Sequence, residues 1–266
     1  MQHYSALKDP VNQAWKSIRQ EAHAMAQSEP FLAPILTRTF LEPQSLHEAL
    51  ARRLADLMAP RDMKEDTLQR LFLDVLEAEH SITAHAVRDL IVVHERDPAC
   101  ATQAHAFLNY KGFQALQAQR IAHWFWGNGR TELAFWLSNR ASLMFGPDIH
   151  PAARMDAGIM LDHGAGIVIG ETAVVEDDVS ILQNVTLGGT GKTHGDRHPK
   201  VRRGVMIGAG AKIIGNIEIG AFSKVAAGSV VLRDVPPRCT VAGVPAQIVR
   251  LHSETEIPSE TMDQDY

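Results

Sequence analysis

Three short stretches gather the residues that could do chemistry. "LDHG" sets an acid, Asp162, beside a titratable imidazole, His163. "DIHPAA" offers Asp148 and His150, and "GDRHPK" offers Asp196, Arg197 and His198. An imidazole titrates near neutral pH, so an acid–histidine pairing can serve acid–base catalysis. Most of the thirteen histidines must be structural or solvated, and His23, His47, His80, His85 and His94 sit on ordinary helical stretches without a role. The glycine-rich run "LGGTGKTHGDRHPK" imitates a nucleotide-binding loop but fails on spacing. Counting back from Gly191-Lys192-Thr193, the required first glycine is Thr186. No helical pattern follows, so no helix N-terminus is available to hold a phosphate.

Two kinds of element must position these groups. From residue 11 to about 145 the texture is helical. "HEALARRLADLM" (47–58) places Leu50, Leu54, Leu57 and Met58 on one stripe, and "EDTLQRLFLDVLEAEHSI" (65–82) repeats the habit. Asp97-Pro98 marks a break, and "YKGFQALQAQRIAHWFWGNG" reads as a further helix ended by glycines.

After about residue 148 the period becomes six. Ile169, Val175, Ile181, Leu187, Ile207, Ile213, Ile219, Val225 and Val231 lead successive hexapeptides, and all are aliphatic. A fixed short period marks a repeat architecture, and alternation across short strands lets one residue in six point inward. The pattern predicts a parallel β-helix. Extending the frame back from Ile169 reaches His163, where an aliphatic residue would be expected. Leu187 and Ile207 are twenty residues apart, not a multiple of six, so residues 188 to about 204 are expected as an extruded loop. The domains expected are helices over 1–146, the coil over 147–249 and a structureless acidic tail over 250–266.

Composition narrows the function classes. The chain has 266 residues, 45% apolar, with a net charge of −5, so it carries no strong basic field for nucleic acid or membrane. Cys100 and Cys239 make no disulfide framework, and "MQHYSALKDP" lacks a signal-peptide core, so a reducing, cytoplasmic setting is expected. The most apolar stretch carries Arg130, Glu132 and Arg140, which leaves it short of the ~20 apolar residues of a membrane span.

The run from "DIHPAARMDAGIMLDHGAGIVIG" through "LGGTGKTHGDRHPKVRRGVMIGAGAK" to "VAGVPAQIV", together with "RDPA" and "NYKGFQALQAQRIAHWFW", resembles bacterial serine acetyltransferase over essentially the whole chain. The resemblance implies an α+β chain, with an all-α N-terminal domain followed by a left-handed β-helix, assembled as trimers and hexamers. It implies acetyl transfer from acetyl-CoA to L-serine without an acyl-enzyme, and inhibition by L-cysteine. His163 is then the general base and Asp148 its orienting acid. Asp97 and Asp162 meet the substrate ammonium, and Arg197 and His198 its carboxylate. Gly189, Ala209, Lys224 and Ala227 line the cofactor site, and no metal is expected. In the resembling enzymes a tail ending in isoleucine docks into O-acetylserine sulfhydrylase. This chain ends in Tyr266, so weak or absent docking is expected. Three alternatives stay open: a zinc site built from His163, His194 and His198, as in hexapeptide carbonic anhydrases, a non-catalytic scaffold, and an acetyltransferase for sugars.

Overall fold

The computed structural model describes residues 2–191 and 194–265, so Met1, Lys192, Thr193 and Tyr266 lie outside the described residues. The first half is helical: α1 (Gln2–Ser28), α2 (Ala33–Leu36), α3 (Leu46–Met58), α4 (Glu65–Ala78), α5 (His80–Arg96), α6 (Gln103–Asn109), α7 (Lys111–Gly127) and α8 (Thr131–Phe145). Local chemistry sets several of these ends. The Ser45 hydroxyl accepts from the Glu48 amide, while the Glu48 carboxylate accepts from the Gln44 amide, a variant of the capping box. On α3 the expected stripe is real: Leu50, Leu54 and Met58 are buried. The segment expected as one helix over 65–82 is two, because Glu79 leaves helical geometry (φ −128°, ψ 81°) and α5 restarts at His80. Apolar periodicity alone did not register that break, since Leu76 and Ile82 are buried on either side of it.

The second half is a parallel coil with three faces. The first face holds β1 (Asp148–Ile149), β4 (Val168–Ile169), β7 (Thr186–Gly188), β10 (Lys212–Ile214) and β13 (Val230–Val231). The second holds β2 (Arg154–Met155), β5 (Val174–Val175), β8 (Lys200–Val201) and β11 (Glu218–Ile219). The third holds β3 (Met160–Leu161), β6 (Ser180–Ile181), β9 (Met206–Ile207), β12 (Lys224–Val225) and β14 (Cys239–Gly243), with β15 (Ala246–Leu251) antiparallel at its end. All nine residues that lead the hexapeptides point inward, none more than 2% exposed.

Register corrects two expectations. Val201 already pairs with Val175 and Ile219, so the extruded loop ends before Lys200, not near 204. The inward residue before Ile169 on the third face is Leu161, eight positions back and not six. Two extra residues therefore sit at the corner after β3, and they lift His163 out of the apolar column to 72% side-chain exposure with φ 56°. A lone phase shift of two explains why the hexapeptide frame appeared to place a histidine inside.

The halves are bolted together through α7. Leu116 joins the apolar column of the coil. A Cβ on Gly112 would lie 2.0 Å from the Leu161 carbonyl oxygen, so only glycine lets α7 press against β3. Arg120 pairs with Asp89 in a buried contact and donates to the Asp156 carbonyl, while Asp89 accepts from Gln117 and from the Ile159 amide. Each charge there is matched by several hydrogen bonds, as burial requires.

The tail does not match the expectation of a structureless segment. A short helix, α9 (Pro258–Thr261), packs against α5; Ser259 is buried and its carbonyl accepts from the Ser180 hydroxyl (3.0 Å). The Lys224 ammonium donates to the Asp265 carbonyl. A polar segment with no core of its own can order by giving backbone acceptors to a surface that already exists, which composition does not reveal.

Candidate active site

Asp97, Ala99, Asn109, Tyr110, Lys111, Gly112, Asp162 and His163 line a cavity of about 420 Å³ between the start of α7 and the corner after β3. A groove of about 590 Å³ along α1 and another of about 720 Å³ near Trp136 are larger, but neither contains a carboxylate beside an imidazole. Asp97 ends α5, and Pro98 turns the chain there. Its Oδ1 accepts from the Ala99 amide (2.8 Å) and its Oδ2 from the Tyr110 hydroxyl (2.6 Å). Asp162 is half-buried, and burial raises its pKa. The neighbouring His163 opposes that shift and Asp97 adds to it. His163 Nε2 lies 3.8 Å from Asp162 Oδ2. Two carboxylates facing one cavity suit a cationic ligand, and an imidazole beside them can exchange a proton with it.

Asp148 opens β1 one turn away. The proline before it is close to Gly164, where an added Cβ would stand 3.2 Å from Pro147 Cγ. Among the described residues Asp148 makes no side-chain hydrogen bond or ion pair, so the direct contact with His163 expected from the resemblance is not formed in the single chain.

A second cluster occupies the next corner of the coil, between the first and second faces. Arg197 donates to Glu171 Oε2 (2.6 Å), and that bond holds the Glu171 pKa below the usual carboxylate value. The Thr172 hydroxyl oxygen accepts from the Arg197 and His198 amides, at 2.9 and 3.0 Å. The Thr172 amide donates to His198 Nδ1 (3.2 Å). An amide can only donate, so neutral His198 carries its proton on Nε2. Burial, then the Arg197 charge, lowers the pKa of His198 and favours that neutral form. Gly170 makes the room: a Cβ there would fall 2.1 Å from His198 Nε2. Lys200 closes the base of the loop on Asp196 (2.6 Å) and on the Thr172 and His198 carbonyls.

Comparison with known proteins decides the family. A family model described as "Serine acetyltransferase, N-terminal" matches residues 14–118, and one described as "Bacterial transferase hexapeptide (six repeats)" matches residues 198–233. The serine acetyltransferase of Salmonella typhimurium is 52% identical over 252 residues, spanning 95% of this chain and 92% of that protein. The chain belongs to the serine acetyltransferase family. A serine acetyltransferase solved in complex with cysteine shares 48% identity with it at a TM-score of 0.93, covering 96% of this chain and 98% of the other. The serine acetyltransferase of Brucella abortus, solved with coenzyme A, shares 49% at a TM-score of 0.89, covering 92% and 98%. The protein is thus an acyltransferase enzyme, and its helical half and hexapeptide coil are those of the family.

Within one serine acetyltransferase chain the candidate residues fall into separate groups. Asp97, Asp162 and His163 share the cavity. Arg197, His198 and Gly189 stand together at the other corner, where a Cβ on Gly189 would lie 3.2 Å from His198 Nε2. Ala209 and Ala227 stack on the corner below His163, joined by the bond from the Gly228 amide to the Ala209 carbonyl (2.8 Å). Lys224 is 4% exposed under the tail. Within one chain His163 and His198 lie on different corners, and no group of three or more metal-binding side chains is found among the described residues. Among the described residues no helix is long and apolar enough to cross a membrane. Glu171, Thr172, His150 and Tyr110 were missed or left without a role in the sequence. Glu171 and Thr172 were findable only by counting one coil, 26 residues, from Arg197 and His198.

Proposed function

We infer that this serine acetyltransferase transfers the acetyl group of acetyl-CoA directly to the hydroxyl of L-serine, with His163 as general base. The carrying observation is the shared cavity of Asp97, Asp162 and His163. The substrate ammonium sits between the two carboxylates, which sets its hydroxyl beside the imidazole. His163 takes the hydroxyl proton as the serine oxygen bonds to the thioester carbon. The tetrahedral intermediate collapses with loss of the CoA thiolate, which takes the proton back from the imidazolium. Asp148, at the edge of the same corner, orients the ring when substrate is bound. An imidazole suits both transfers because one ring nitrogen can accept a proton and give it back without leaving the site.

The carboxylate clamp completes the site from a neighbouring copy. Arg197 and His198 stand one face of the coil away from His163. From Gly166 to Glu171 that face spans roughly 16 Å at ~3.3 Å per residue, beyond the reach of an arginine side chain. A three-sided coil packed about a threefold axis sets one corner of each copy against the next corner of its neighbour, a heterologous contact that closes on itself. Acetyl-CoA lies along the same seam, against Gly189 of one copy and Ala209 and Ala227 of the next. A contact with Lys224 requires its bond to Asp265 to open. L-Cysteine, with the same ammonium and carboxylate, competes for the serine position. A relative's cysteine complex supports this reading.

The test is thiol release from acetyl-CoA with L-serine, L-threonine, L-homoserine and simple sugars as acceptors. L-Serine should be much the best. A sugar acetylated faster would overturn the reading, since a sugar has no ammonium for the paired carboxylates.

A further inference from the structure

Tyr110 lines the same cavity and takes no part in the chemistry described so far. Its backbone is pinned from both sides. Its amide donates to the Ala106 carbonyl at the end of α6 (2.9 Å), and its carbonyl accepts from the Gln114 amide in the first turn of α7 (3.1 Å). Two residues on, Gly112 is pressed against the carbonyl of Leu161, the residue before Asp162. The turn that carries Tyr110 is therefore locked to the strand end that carries one acidic side chain, and the Tyr110 hydroxyl reaches across the cavity to the other, Asp97. The ring itself stacks edge-on against His105 at 5.7 Å, independently of the hydroxyl.

We propose that Tyr110 is a positioning residue for the substrate ammonium: its hydroxyl fixes the orientation of the Asp97 carboxylate in the cavity that Asp97 shares with Asp162. The proposal rests on the reading of this cavity as the L-serine site. Two like charges facing one cavity repel, so a carboxylate placed there needs donors that hold it in position. The Asp97 carboxylate accepts one bond on each oxygen, from the Ala99 amide and from Tyr110, and these two bonds set its orientation. Each carboxylate oxygen has a second lone pair, so both remain able to meet the substrate. The hydroxyl is a dependable donor: burial, then the bond to Asp97, drives the Tyr110 pKa well above its ordinary value, so it stays protonated at any working pH.

Tyr110→Phe keeps the ring and removes the donor. The KM for L-serine should rise roughly 10-fold or more, the usual cost of a lost bond to a charged group. The turnover number and the KM for acetyl-CoA should stay within about twofold. The same change should be made in an Asp97→Asn background. If Tyr110 acts through the Asp97 carboxylate, its effect on the serine KM largely disappears there, whereas a structural role would persist. An unchanged serine KM in Tyr110→Phe, with a raised one in Asp97→Asn, overturns the role of Tyr110 and leaves the serine site standing. No effect of Asp97→Asn on the serine KM removes the serine-site reading, and the proposal with it.

Discussion

A His163→Ala subunit and an Arg197→Ala subunit, each inactive in its own assembly, should regain activity when mixed. Two corners of the coil divide the site, one holding His163 and the other Arg197 with Glu171. In a ring each site takes its base from one copy and its clamp from the next. In an equal random mixture a site is intact only where an Arg197→Ala copy supplies the base and a His163→Ala copy supplies the clamp. Half of the copies qualify on each side, so about one quarter of sites are restored in a closed heterologous ring. Loss of a positioned base lowers turnover by roughly 10²–10⁴-fold, so the mixture should exceed the His163→Ala parent by about 25-fold or more. The two chains would carry different tags, be co-expressed, and be purified through both. Thiol release would be followed at L-serine below its KM, where loss of the clamp is fully felt. Doubly tagged assemblies that show no gain over the parents would refute the shared site, and would require Arg197 to reach His163 within one chain.

In the homogeneous enzyme, His163→Ala should lower turnover by roughly 10²–10⁴-fold, and Asp148→Asn by less, since it removes orientation and leaves the base; pre-steady-state thiol release distinguishes the two. Gly170→Ala drives a methyl into His198 and should raise the KM for L-serine strongly while the helical domain keeps its melting behaviour; an unchanged KM would show that His198 needs no fixed position. His47, His85, His150 and His198 all have lowered pKa values, in each case through burial first. The unfolded chain therefore binds protons more readily than the folded one. Stability should be full above the unfolded value of about 6.5 and decline as pH falls through the folded-state values. Thermal melts across pH 8 to 5 measure it, and a Tm that rises on acidification through that window contradicts the sign.

Residue periodicity alone revealed a helical half followed by a hexapeptide coil. Burial on α3 and along the hexapeptide column depends on neighbours three, four or six positions apart, so Leu50, Leu54 and Ile169 through Val231 were legible as inward-facing residues. The existence of an extruded loop followed from the same count, because an insertion breaks a period wherever it occurs. Motif likeness supplied Asp97, Asp162, His163, Arg197 and His198, but not their grouping. Only the tertiary structure decided that His163 stands on a two-residue excursion at a corner, that Thr172 fixes the tautomer of His198, that Tyr110 grips Asp97, and that the clamp stands a full face away from the base. The physical reason is cumulative. Which residues meet across coils depends on how many each turn contains, here 20 between Leu161 and Ile181 and 26 between Ile181 and Ile207. An error of two in that sum rotates a side chain from the apolar column to the solvent.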